Sequence, residues 1–164
     1  MIFVTVGTHE QPFNRLIKKV DELVADGTIT EPVVMQTGFS TYVPKHCEWH
    51  KMLSYDEMKR CIDEARIVIT HGGPASFIEV LQTGKIPVVV PRLAEFDEHV
   101  NNHQKEFVRI VEKRMNDIIP VYEINQLSRA IVDYETLMVQ RNNTESSNNK
   151  RFNIAFEKLI NELF

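Results

Sequence analysis

Three stretches of the chain gather small, polar and titratable residues directly behind apolar runs. Gly7-Thr8-His9-Glu10 follows Ile2–Val6, Thr70-His71-Gly72-Gly73-Pro74-Ala75-Ser76 follows Ile67–Ile69, and Pro91–Gln104 follows Ile86–Val90. The middle stretch suits an anion. Its glycines let the backbone approach a ligand closely, and Pro74 in a first helical turn costs no hydrogen bond. The N–H groups at Gly72, Gly73 and the following turn, aided by the helix dipole, form a seat for phosphate. Glu79 lies one turn beyond Ser76, so both can point toward one ligand. Taken singly, a glycine pair is an ordinary βα turn and Glu79 an ordinary solvated glutamate. The third stretch holds Glu95, Asp97, Glu98, His99, Asn101, Asn102, His103 and Gln104, a density beyond what a surface helix needs for solubility.

These residues need a scaffold, and the chain supplies strand and helix in alternation. Ile2–Val6 reads as a strand, and Phe13, Leu16, Ile17, Val20, Leu23 and Val24 form a helical stripe that Gly27 ends. Strands follow at Pro32–Gly38 and, more weakly, at Cys47–Leu53. Ser54 with Glu57 makes a capping box for a helix that turns Met58, Cys61, Ile62 and Ala65 inward. Ile67–Ile69 is an unbroken apolar run of the kind buried on both faces of a parallel sheet. A helix over about 75–83, a strand over 86–90, a long polar helix over about 97–114, a strand near 118–121 and a helix over about 124–139 complete the pattern. Strands separated by helices predict βαβ units, hence a parallel sheet with helices on both faces. Residues 1–140 then form one domain, 141–150 a flexible polar linker, and 151–164 a terminal amphipathic helix bearing Phe152, Phe156, Leu159, Ile160 and Leu163.

The 164 residues are 43% hydrophobic and 26% charged, which excludes disorder and suits a single domain. Nineteen basic against 23 acidic residues give a net charge of -4, so no general field for nucleic acid exists. No apolar run reaches the ~18 residues of a membrane span. The start lacks the basic character of a signal peptide, and Cys47 and Cys61 make no disulfide framework, so a cytoplasmic protein is expected.

In linear order, His71-Gly72-Gly73, Ser76, Glu79, Gly84, Pro87, Pro91 and His103-Gln104 resemble the nucleotide-sugar signature of glycosyltransferases with two Rossmann-like halves. Specifically, the chain is similar to the C-terminal domain of family 28 enzymes, and Val4-Thr5-Val6-Gly7-Thr8 matches the glycine-bearing first loop of that domain. The resemblance covers about residues 1–125. It extends to the short donor-binding subunits of split enzymes in dolichol-linked oligosaccharide and bacterial capsule or exopolysaccharide synthesis.

The resemblance implies a Rossmann-like α/β domain equivalent to the C-terminal half of a GT-B glycosyltransferase. It implies a hexosyltransferase that uses a uridine diphosphate (UDP) sugar and acts on a polyprenyl-diphosphate-linked saccharide with inversion. Donor contacts would fall to Gly7, Thr8, His71, Gly72, Gly73, Ser76, Glu79, Asn102, His103 and Gln104. Glu79 would bind the ribose hydroxyls and His103-Gln104 the sugar. The acceptor-binding half would come from a membrane-associated partner, which would recruit this chain to the inner face of the membrane. The terminal helix would dock there or pack on its own domain. The general base would be His9, Glu10 or a residue of the partner. A non-catalytic nucleotide-sugar-binding subunit that enhances its partner is the alternative. No cofactor is expected and a metal ion is not obligatory. His99 and His103, four apart on the expected helix, have metal-binding spacing but no third ligand.

Overall fold

In the computed structural model, residues 1–141, 157, 158, 161 and 162 are described. The predicted linker, apart from Arg141, and nearly all of the predicted terminal helix lie outside the described residues. Six strands form one parallel sheet: β1 (Ile2–Thr5), β2 (Val33–Gln36), β3 (Glu48–His50), β4 (Ile67–His71), β5 (Val88–Val90) and β6 (Ile119–Pro120). Their spatial order is β3-β2-β1-β4-β5-β6. The chain therefore reverses its direction of travel across the sheet between β1 and β4, and a crevice opens there beyond the carboxyl ends. Thr5 lies beside Thr70 and His71 beside Val90, so three strands end side by side at this opening.

Side chains alternate across the sheet, as period-2 geometry requires. Ile2, Val4, Ile67, Ile69, Val88 and Val90 face one layer, formed by α1 (Asn14–Ala25), α5 (Leu127–Val132) and α6 (Tyr134–Arg141). Phe3, Val68 and Val89 face the other, formed by α2 (Tyr55–Glu64), α3 (Pro74–Gln82) and α4 (His103–Met115). Burying one such aliphatic side chain fully contributes about 1.5–3 kcal/mol, which fixes strand register on both faces. The capping box is present: the Ser54 N–H donates to Glu57 Oε2 at 2.8 Å, and the Glu57 N–H donates to Ser54 Oγ at 3.2 Å. β3 is an edge strand with all three residues exposed, including Trp49 at 42%.

Two expected helices differ. The one predicted over 97–114 begins only at His103, behind a 3-10 turn at Ala94–Phe96 and an irregular stretch. Asp97 is left-handed there at φ 55°, and Asn101 Oδ1 takes the His103 N–H in a local turn, so helix cannot extend backward. The helix predicted over 124–139 breaks into a 3-10 turn at Ile124–Gln126, α5 and α6, with the break at Asp133. There Tyr134 is buried, and its hydroxyl donates to the Ile86 carbonyl at 2.7 Å.

Candidate functional site

β4 runs through Thr70 to His71, so the histidine ends a strand instead of belonging to the turn. Its ring is wedged between two glycines. A Cβ on Gly7, whose φ is +74°, would meet His71 Nε2 at 2.3 Å, and one on Gly73 would meet His71 Cε1 at 2.2 Å. No other residue fits either place. The Gly73 N–H donates to His71 Nδ1 at 3.0 Å, so the ring proton sits on Nε2 and donates to Ser76 Oγ at 2.8 Å. Ser76 keeps its own hydroxyl hydrogen for a ligand. Burial, followed by the nearby Arg92 guanidinium, pushes His71 down to about 4, so the ring is neutral at physiological pH.

This arrangement corrects the expected set of free donors. The Gly72 N–H is taken by Gln104 Oε1 at 3.1 Å and the Gly73 N–H by His71, while the Ser76 N–H turns to the Gly73 carbonyl at 3.1 Å. The Ala75 N–H is left without an acceptor among the described residues, beside the Ser76 hydroxyl and at the positive end of α3. His71 itself has both nitrogens occupied, and it orients Ser76. Glu79, half-buried, stands on the Ser76 face of α3.

The loop after β5 closes the other side of the crevice. Gln104 Oε1 also accepts the Arg92 N–H at 3.1 Å, so one side-chain oxygen joins the ends of β4 and β5. Glu98, 2% exposed, accepts from Arg15 at 2.8 and 3.0 Å and from the Leu93 N–H at 3.0 Å. Asn102 Oδ1 takes the Ala94 N–H at 2.9 Å, and His103 lies exposed at the start of α4. Neither Asn102 nor His103 makes a hydrogen bond to the β4 turn; Gln104 does.

Thr8 and Glu10 are exposed, whereas His9 is half-buried and stacks on His99 with ring centroids 4.6 Å apart and planes 14° from parallel. Gln11 Nε2 donates to the Asp97 carbonyl at 3.2 Å, which turns its Oε1 to His9 Nε2 at 2.8 Å. His9 Nε2 therefore carries the proton, and Nδ1 is left as an acceptor. His99 pairs with His9 and lies off the helix that carries His103, so the expected four-residue helical spacing is absent. Burial first, and then His9 and Arg92, hold His99 below its ordinary value. Among the described residues, no group of three or more His, Cys, Asp or Glu is placed to hold a metal ion. No described helix is long and apolar enough to cross a membrane.

Sequence reasoning passed over Arg92, which is fully buried and donates to three loop carbonyls. The available signal is a charged residue two positions behind the all-valine end of a strand, at the carboxyl edge of the sheet.

Known proteins share this architecture. The chain is 33% identical over 123 residues to the mouse (Mus musculus) UDP-N-acetylglucosamine transferase subunit ALG13, covering 68% of this chain and 10% of that protein. The human (Homo sapiens) subunit of the same name is 34% identical over 121 residues, again covering 68% and 10%. The chain thus spans about a tenth of the length of these relatives. Among solved structures, the glycosyltransferase SnogD from Streptomyces nogalater superposes with a TM-score of 0.58 at 17% identity, covering 97% of this chain and 42% of SnogD. The glycotransferase of kitacinnamycin gives 0.63 at 17% identity, covering 94% and 39%. These likenesses carry the fold alone: a Rossmann-like parallel sheet corresponding to the C-terminal half of a GT-B glycosyltransferase. Residues 1–163 match the profile of the glycosyltransferase family 28 C-terminal domain, and the chain belongs to that family.

Proposed function

We propose that this chain is the donor-binding subunit of an inverting glycosyltransferase that moves a hexose from a UDP-sugar to a polyprenyl-diphosphate-linked saccharide in surface polysaccharide assembly. A membrane-associated partner polypeptide supplies the acceptor-binding half and brings this chain to the inner face of the membrane. The observation that carries the reading is the crevice between β1 and β4, where the Ala75 N–H and the Ser76 hydroxyl hydrogen have no acceptor among the described residues at the start of α3, with Glu79 one turn further. The description of the mouse and human relatives as transferase subunits supports a partner.

In this reading the anomeric carbon loses its bond to the β-phosphate oxygen, and the electron pair leaves with the diphosphate. Ala75 N–H and Ser76 Oγ–H stabilise the growing charge; a preorganised donor of this kind is worth about 3–4 kcal/mol. The acceptor hydroxyl attacks from the opposite face and loses its proton to a base. His9 Nδ1, left as an acceptor by the Gln11 contact, is the group of this chain suited to that step. Glu79 receives the ribose hydroxyls, and Gln104, oriented by two backbone N–H groups, offers its amide hydrogens to the sugar.

Calorimetry with UDP and UDP-sugars tests the reading. The folded chain, alone or with its partner, is expected to bind them, and Glu79→Ala is expected to weaken binding about tenfold. Absence of binding in both settings overturns the donor-site reading. Transfer that persists in the reconstituted pair with His9→Gln assigns the base to the partner.

A further inference from the structure

We propose that Arg92 is a positioning residue of the donor crevice: its buried guanidinium donates to the carbonyls of Val6, Gln11 and Glu98 and so holds the loop after β1 against the loop after β5. The inference rests on the reading of the crevice as a UDP-sugar site.

Arg92 is 0% exposed. Nη2 donates to the Val6 carbonyl at 2.6 Å, and Nη1 to the Gln11 carbonyl at 2.7 Å and the Glu98 carbonyl at 3.1 Å. Its own backbone N–H goes to Gln104 Oε1, which also holds Gly72, so the residue is tied to the β4 turn as well. The guanidinium carbon lies 4.9 Å from the centre of the Phe13 ring on the α1 side. Nε has no hydrogen-bond partner among the described residues. Burying a cation is costly, and an apolar side chain of equal volume would fill this space at lower cost. What an apolar side chain cannot do is satisfy three carbonyls from two loops.

Those carbonyls belong to the segments that carry the candidate base and the sugar-side residues. Val6 and Gln11 flank Gly7, Thr8, His9 and Glu10, and Glu98 precedes His99 in the loop that leads to Gln104. Arg92 lies where these segments meet. The charged and titratable neighbours are Glu98 on its own loop, Arg15 on α1 paired with Glu98, His71 at the end of β4, and the stacked His9 and His99. Lysine at this position keeps a charge but presents a single point donor in place of a planar fork, and cannot reach three divergent oxygens together.

The stacked histidines give a readout of the loop junction that does not depend on ligand. Face-to-face rings shift each other's proton resonances, and the shift vanishes when the loops part. Arg92→Lys is expected to melt cooperatively and to lose the mutual ring shifts of His9 and His99, with His46 and His50 unmoved. Amide exchange should rise over residues 7–11 and 94–99 and not in α2 or β3, and UDP affinity should fall about 10- to 100-fold. Glu98→Gln, which removes the counter-charge of both arginines, should loosen the same two loops less; this pattern carries the test should Arg92→Lys not fold. Unmoved histidine resonances, exchange that rises evenly along the chain, or UDP affinity within about twofold of the parent each overturn the proposal. A parent chain that binds no UDP overturns the donor reading instead, and the resonances and exchange still decide the role of Arg92.

Discussion

The turn between β4 and α3 finds most of its partners within itself. His71 accepts from Gly73 and donates to Ser76, and the ring fills the space that two missing Cβ atoms leave. The loop between β5 and α4 closes its backbone partly on itself, through Glu98 and Asn102, but its buried charged side chains find partners elsewhere. Arg92 reaches the carbonyls of Val6 and Gln11, and Glu98 holds Arg15, from positions more than 75 residues away in the chain. Both regions border one crevice. The first is specified by neighbours in sequence and is intolerant of added volume; the second is specified by tertiary contacts and depends on keeping buried charges paired.

Acid should break this contrast most strongly, on the side of the turn. His71 is held at about 4 in the folded chain against an ordinary value of 6.5. As pH falls below 6.5 the unfolded chain takes up a proton that the folded chain refuses, so stability drops until pH reaches about 4. The full drop is about 3 kcal/mol, and His99, also held low, adds in the same direction. Thermal melts between pH 7 and 4 measure it, and His71→Gln should flatten the dependence; an unchanged slope would place the acid sensitivity elsewhere. Next in size, Gly73→Ala drives a methyl group into the His71 ring and is expected to cost about 2 kcal/mol in urea unfolding, with at least tenfold weaker UDP binding. Smallest, Asn102→Ala removes one exposed hydrogen bond to Ala94 and should cost about 0.5–1 kcal/mol, with faster amide exchange at Ala94 alone. If the last two changes proved equal, the two regions would not differ in tolerance as described.

The same contrast explains what the sequence disclosed. The alternation of Ile67–Ile69 and Ile86–Val90 with amphipathic stretches announced a parallel sheet, because burial on both faces leaves no other use for such runs. Ser54 and Glu57 announced a helix start through contacts three residues apart. Gly73-Pro74 announced α3 for the same local reason. The start of α4 is not legible in the same way, because the residues over 97–102 have adequate helical character, and what denies them helix is a left-handed Asp97 and a Glu98 drawn into the interior by Arg15. Arg92 was illegible on the same ground: nothing near it in sequence shows that its acceptors include the ends of the first loop. Which donors remain free is illegible by a short step, since the capture of Gly73 by His71 depends on a ring orientation that spacing alone does not reveal.

Trp49 is the only tryptophan of the chain, and it lies half-exposed on the outermost strand, two strands from β1 and so roughly 10 Å across the sheet. Its emission is therefore a built-in optical channel for the sheet margin and not for the nucleotide. A titration that dims this light upon mixing with another polypeptide, yet stays silent with UDP, would separate assembly from ligand uptake in a single cuvette without any attached dye.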